Sequence, residues 1–165
     1  MKRLPKLSLL SLFSLILITA CNNAEKSNAT TEKQTDSFNI DSVRKEIDKA
    51  NLEFVDLFNK SDSVGLANMF TTDGKSMEPN EPAFIGRSAI QKHYSIVMNS
   101  GANKLGLFTT GLWGNQEMLA EEGEFTFIDK NGKRLDKGKY IVLWKIEDGK
   151  WKLFRDCYNS DQPIQ

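Results

Sequence analysis

"LDKGKYIVLWKIE" (Leu135–Glu147) and "KWKLFRDCYN" (Lys150–Asn159), joined by "EDGK", decide the fold. Tyr140, Val142, Trp144 and Ile146 alternate with Ile141 and Leu143, the period of a strand. The Asp-Gly pair between the two runs supplies a hairpin turn. Both faces of the first run carry apolar groups, and such a strand is covered on both sides. One face would meet the rest of the domain and the other a second copy of the chain. The alternative is that Ile141 and Leu143 are simply exposed.

The same period extends upstream. "QEMLAEEGEFTFI" (116–128) reads as a strand turned into the hairpin by "DKNGK", and "KLGLFTTGLWG" (104–114) as the strand before it. These four segments form an antiparallel meander. Before Gly101 the period is that of a helix. Ile40, Val43, Ile47, Phe54 and Phe58 predict helix one from about Asp41 to Lys60, capped by Asn39 or Asp41. Ser61 or Asp62 caps a shorter helix whose inner stripe is Leu66, Ala67, Met69 and Phe70, with "TTDG" as its stop. "KSMEPNEPAFIG" reads as two short strands about the turn "PNEP". "RSAIQKHYSIVMNSG" is helix three, with Ile90, Tyr94, Val97 and Met98 inward and Gly101 as the stop. Helices on one face of an antiparallel sheet make an α+β domain.

The start of the chain has a different character. Lys2, Arg3 and Lys6 precede an uncharged apolar run, Leu7 to Ala20, too short to be a comfortable permanent span. Residues 1–20 read as a secretory signal peptide. The run ends in "ITAC", which resembles a bacterial lipobox. That resemblance implies cleavage before Cys21 and lipidation of its thiol, anchoring the chain at the envelope membrane. An ordinary signal peptide with a chance cysteine is the alternative. Residues 21–38, "CNNAEKSNATTEKQTDSF", have almost no large apolar side chains and read as a tether. The domain is 39–165, about 128 residues, one domain by length.

Charge and composition narrow the function. The chain has 22 Lys and Arg against 22 Asp and Glu. Removing residues 1–20 takes three cations and no acid, leaving a slight negative excess. That gives no electrostatic reason to expect nucleic acid. His93 is the one histidine and no CxxC pair occurs, so neither a zinc site nor a metal cofactor is expected. With Cys21 lipidated, Cys157 has no partner in the chain; burial is the expectation and a bridge between protomers the alternative.

The order of "SDSVGLANMFTTDG", "PNEPAFIGRSAI", "LAEEGEF" and "DKGKYIVLWKIEDGKWKLFRDCYNSDQP" resembles the nuclear-transport-factor-like superfamily over about residues 40–163. Within it the chain looks like the SnoaL-like and ketosteroid-isomerase-like branch. The resemblance implies a cone: a curved sheet wraps three helices, leaves a pocket at one end, and often pairs with a second sheet in a homodimer.

In ketosteroid isomerases the general base is a carboxylate just before a proline, on the strand after helix two. Glu78 before Pro79 occupies that place. A carboxylate at the mouth of an apolar cone is desolvated, its pKa rises, and it can move a proton near neutral pH. That chemistry also needs two donors to an enolate oxygen, a tyrosine on helix one and a protonated acid on a later strand. Helix one has Phe54 and Phe58 instead, and the later strand has Ile141 at the matching point. Tyr140, Tyr158 or Trp113 are possible substitutes. Without the family's donors Glu78 reads first as an acid at the pocket rim, facing solvent or a cation.

Asp156 and Tyr158 share a face of the last strand with Phe154, while Arg155 and Cys157 take the other. A polar anchor beside aromatic walls suits a small-ligand pocket; the alternative for Asp156 is a cap on helix one or a loop. Glu122 and Glu124 share a face that points to the cavity or to solvent. His93 reads as solvated beside Gln91 and Lys92. Arg87 at the start of helix three needs a partner to offset the helix dipole. The expected function is binding of a small, mainly apolar molecule, with Trp113, Tyr140, Trp144, Asp156 and Tyr158 as ligand contacts. A proton-transfer enzyme (isomerase, cyclase or dehydratase type) with Glu78 as catalytic base, and a dimeric scaffold with a self-filled pocket, are the alternatives.

Overall fold

The computed structural model describes residues 38–163. The signal peptide, Cys21 and nearly all of the tether lie outside the described residues. No helix among the described residues is long and apolar enough to cross a membrane.

Helix α1 (Ile40–Asn59) starts where Asn39 caps it, its side chain accepting from the Asp41 and Ser42 amides at 2.9 and 3.1 Å. Its inner stripe, Ile47, Phe54 and Phe58, is buried. The cap of α2 (Ser63–Asn68) is Asp62, whose carboxylate accepts from the Gly65 amide at 2.8 Å. Arg87 opens α3 (Arg87–Asn99). Its charge is matched, because its guanidinium pairs with Glu147 and its Nε donates to the Phe70 carbonyl at 2.9 Å. That pairing removes the conflict with the helix dipole.

Six strands form one curved, open sheet in the order β2-β1-β6-β5-β4-β3. They are β1 (Phe70–Met77), β2 (Phe84–Ile85), β3 (Lys104–Gly114), β4 (Leu119–Ile128), β5 (Arg134–Glu147) and β6 (Lys150–Ser160). The meander β3–β6 is antiparallel, whereas β1 joins β6 in parallel. This α+β cone matches the expected class.

Three local expectations are corrected. Phe70 is buried, but it opens β1 instead of closing α2, and "TTDG" runs on within that strand. Thr72 there is held by Glu147, which accepts from its amide and hydroxyl at 2.9 and 2.7 Å. Second, β6 bulges at Phe154: Leu143 pairs with Arg155 while Trp144 pairs with Leu153. An extra residue in one strand reverses the alternation beyond it. Phe154 therefore leaves the face of Asp156, and its ring lies 3.9 Å from Lys145 Nζ and 3.6 Å from the Arg155 guanidinium carbon. Third, Cys157 is exposed on the outer face of the sheet, opposite Ile141.

On β5, Tyr140, Val142 and Trp144 point into the core and Ile141 points out, 55% exposed. Ile146 is also exposed, so the inward set ends at Trp144. The core is strongly aromatic. Phe54 meets Tyr94 edge-on at 5.8 Å, and Phe58 meets Phe127 at 5.5 Å.

Candidate functional site

Helix α1, helix α3 and the inner faces of β3–β6 enclose a cavity of about 50 Å³. Its walls are apolar: Phe54, Val97, Leu105, Leu107, Phe125 and Phe127. Asn51, Glu78, His93, Tyr94, Tyr140, Asp156 and Tyr158 add the polar lining. The cavity is open at one side, so a bound molecule can extend beyond this inner space.

Glu78 follows the last residue of β1, and its side chain is only 5% exposed. The Ser76 hydroxyl donates to its Oε1 at 2.6 Å. His93 Nε2 lies 3.2 Å from the same oxygen, too oblique for a proper hydrogen bond, and has no other partner. Burial pushes the Glu78 carboxyl up, but His93, Ser76 and the Tyr158 hydroxyl together outweigh it and hold it below its ordinary value. The expectation of a raised pKa is thus reversed, and the carboxylate is an inner group, not a rim acid in solvent.

Asp156 lies on β6 beside Ser76 of β1 and Val142 of β5. The Tyr94 hydroxyl donates to its Oδ2 at 3.2 Å. It caps no helix or loop. Burial, then the charge of Glu78, push its carboxyl up to about 7, with Glu121 adding and the Tyr94 hydrogen bond opposing. Two carboxyls in one cavity therefore have opposite tendencies: Glu78 ionises more readily than usual, while Asp156 holds its proton up to about pH 7. Tyr94, Tyr140 and Tyr158 are all pushed up by burial and by these acids, so their hydroxyls stay protonated.

A second polar cluster lies behind Asn51 and Tyr140. Glu121 on β4 is 0% exposed. Its Oε1 accepts from Asn51 Nδ2 at 2.6 Å, Thr109 Oγ1 at 2.6 Å and Tyr140 Oη at 2.9 Å. Its Oε2 accepts from Trp144 Nε1 at 2.8 Å. Gly123, opposite Tyr140, leaves room for this arrangement, since a Cβ there would collide with the tyrosine ring and the Phe108 carbonyl. Among the described residues no group of three or more His, Cys, Asp and Glu side chains could hold a metal ion.

Of the residues singled out from sequence, Glu78, Tyr140, Asp156 and Tyr158 line the cavity. Trp144 is fully buried and engages Glu121 behind the lining. Trp113 is 54% exposed and lines no part of the cavity, which corrects its assignment as a ligand contact. Glu122 and Glu124 are exposed and face outward.

Two inner groups were missed. His93 is buried and stacks on Phe84 at 4.0 Å, not solvated. Its spacing from Ile90 and Val97 already places it on the inner stripe of α3. Glu121 shares its face with Leu119 and Phe125, so strict alternation turns it inward and its neighbours Glu122 and Glu124 outward.

No family model matches the chain, and no curated protein matches it. Solved structures match its fold. A ketosteroid isomerase-like protein from Erwinia carotovora is 19% identical, with a TM-score of 0.61 over 72% of this chain and 95% of that one. A nuclear transport factor 2-like superfamily protein from Salmonella enterica is 17% identical, with a TM-score of 0.61 over 77% and 96%. A protein of unknown function with a cystatin-like fold from Nostoc punctiforme is 16% identical, with a TM-score of 0.63 over 72% and 90%. At these identities the likeness establishes the fold: the nuclear-transport-factor-like, cystatin-like cone.

Proposed function

We propose that the domain binds a small, mainly apolar molecule in this cavity, gripping one polar end between Glu78 and Asp156. The observation that supports this reading is the lining itself, an apolar sleeve that ends in two buried carboxyls whose pKa values are shifted in opposite directions. Small-molecule sites have this division between apolar walls and a few oriented polar groups. Glu78 accepts hydrogen bonds as a carboxylate and, below about pH 7, Asp156 donates one, so a polar end with both a donor and an acceptor satisfies both.

The test is native mass spectrometry of the full chain, extracted from its host's membranes, beside a Leu107→Trp variant that fills the cavity. The expected result is a discrete added mass per protomer in the natural protein and its loss in the variant. A folded natural protein with no adduct, whose melting temperature no pocket-sized compound shifts, would count against binding. The same spectrum reports whether two copies associate, as exposed Ile141 and Phe108 on the sheet suggest.

A second reading, proton transfer with Glu78 as base and Asp156 as acid, is favoured by the split between the two carboxyls. Neighbouring titratable groups pushed apart in this way are how acid and base roles are divided. Here Tyr94 and Asp156 would be the donors, from α3 and β6, in place of those missing from α1 and β5. Under this reading Glu78→Gln keeps the fold and the ligand but loses turnover.

The sequence also supports placement at the envelope by a lipid on Cys21. Cys21→Ser should abolish incorporation of labelled fatty acid and move the protein out of the membrane fraction. Unchanged labelling and fractionation would sink the lipoprotein assignment.

A further inference from the structure

We infer that the molecule held in this cavity is a small organic cation, an apolar ammonium whose charge sits among the carboxyls and the aromatic faces. This rests on the reading of the cavity as a binding site and names the class of ligand.

The first support is charge. The residues lining the cavity include two carboxyls, Glu78 and Asp156, and neither Lys nor Arg. A third carboxyl, Glu121, lies directly behind Asn51 and Tyr140 and is bonded only by neutral groups. No cation pairs with it among the described residues. The one basic group present is His93. Even protonated it would balance Glu78 and leave Glu121 uncompensated. A buried carboxylate without a counter-charge is costly, and a ligand cation reduces that cost.

The second support is the wall. Phe54, Tyr94, Phe125, Phe127, Tyr140 and Tyr158 all contribute to the lining. Aromatic faces carry negative charge density and attract ammonium groups, most strongly where water is excluded. The aromatic faces disfavour an anion, and the Glu78 carboxylate repels it. The cavity thus discriminates by charge as well as by size.

The third support is His93. The residue is 8% exposed and lines the cavity, yet its Nε2 has no hydrogen-bond partner. A buried polar atom in this state is rare in folded proteins. Glu78 Oε1, 3.2 Å from Nε2, accepts an N–H from a primary or secondary ammonium entering beside the imidazole.

The experiment uses the detergent-solubilised full chain at pH 8 and two sets of near-isosteric probes. One set is neopentylammonium, neopentyl alcohol and pivalate. The other is choline, 3,3-dimethylbutan-1-ol and 3,3-dimethylbutanoate. Affinities are measured by calorimetry, with melting-temperature shifts as a check. In at least one set the ammonium should bind roughly tenfold or more tighter than the neutral member, with the carboxylate weakest. Glu78→Gln, checked for a native circular-dichroism spectrum, should shrink that ratio severalfold.

A neutral or anionic member that binds as tightly as its ammonium in both sets overturns the inference and leaves the binding site standing. No binding of either ammonium overturns it too. In that case the native mass spectrum separates the two failures: a neutral or acidic adduct removes the charge assignment alone, and no adduct removes the site.

Discussion

Replacing Glu121 with leucine should lower the unfolding free energy by about 3–5 kcal/mol, each orphaned donor costing roughly 1–3. The side chain is wholly buried and accepts four hydrogen bonds. Leucine has a similar size but no acceptor. It would strand the Trp144 and Tyr140 donors in the core, where water cannot replace the lost partner. Thr109 and Asn51 lie nearer the surface and recover part of the loss. Glu121→Gln keeps the shape and one acceptor but turns an NH₂ towards a donor, so its cost should be smaller, about 1–3 kcal/mol. Glu124→Leu on the outward face is the control and should change stability by no more than about 0.5 kcal/mol. Urea unfolding of the three variants measures all of this. A Glu121→Leu loss no larger than that of the control would mean the network contributes nothing to the fold.

The stabilisation that Asp156→Asn confers should grow by about 3 kcal/mol between pH 5 and pH 8. Unfolded, Asp156 loses its proton near its ordinary 3.8; folded, it keeps the proton to about 7. Between those values the folded state holds one proton more than the unfolded state. Stability therefore falls as the pH rises through this window and levels off above about 7. The groups that face Asp156 are Glu78 after β1, Glu121 on β4, Tyr140 on β5, Tyr158 on β6, and His93 and Tyr94 on α3. Helix α1 presents only Asn51 and Phe54 to the cavity.

Glu78 acts in the opposite sense. Its folded carboxyl is held below the ordinary 4.5, so its contribution is present above that value and lost as the pH falls below it. The two windows separate, and the slope above pH 5 belongs to Asp156. Asparagine still accepts from the Tyr94 hydroxyl and carries no charge at any pH. Melting curves from pH 5 to pH 8 for both proteins are the measurement. Parallel curves, with no pH-dependent gap, would show that Asp156 ionises as freely folded as unfolded.

The cation inference and these stability predictions share a cause. Carboxyls enclosed by apolar walls raise the free energy of the empty domain, and a ligand that relieves this stabilises it. Protein–ligand sites often carry such a cost in the unbound state.

Local periodicity was enough for the architecture. Tyr140, Val142 and Trp144 alternate on a strand, Ile47, Phe54 and Phe58 recur on a helix, and the Asp-Gly turn between β5 and β6 joins neighbours in the chain. Each of these depends on residues a few positions apart, and backbone geometry converts such spacing directly into a face. Glu121 and His93 were legible by the same rule, from Leu119 and Phe125 on one strand and Ile90 and Val97 on one helix. They are polar, and a polar residue on an inner face shows its purpose only once its partners are known.

Those partners lie far off in the chain. Asn51 reaches Glu121 from 70 residues away, and Tyr94 reaches Asp156 from 62. The parallel pairing of β1 with β6 and the bulge at Phe154 likewise follow from how distant strands fit, not from either strand alone. Local spacing fixes most of the elements, the order of the meander and the inward stripes of α1, α3 and β5, while the α2–β1 boundary and the faces of β6 around the Phe154 bulge depart from it. The opposite pKa shifts of Glu78 and Asp156 arise from tertiary contacts alone. A carboxyl's protonation depends on burial and on the charges around it, and both arise when remote segments close over one cavity.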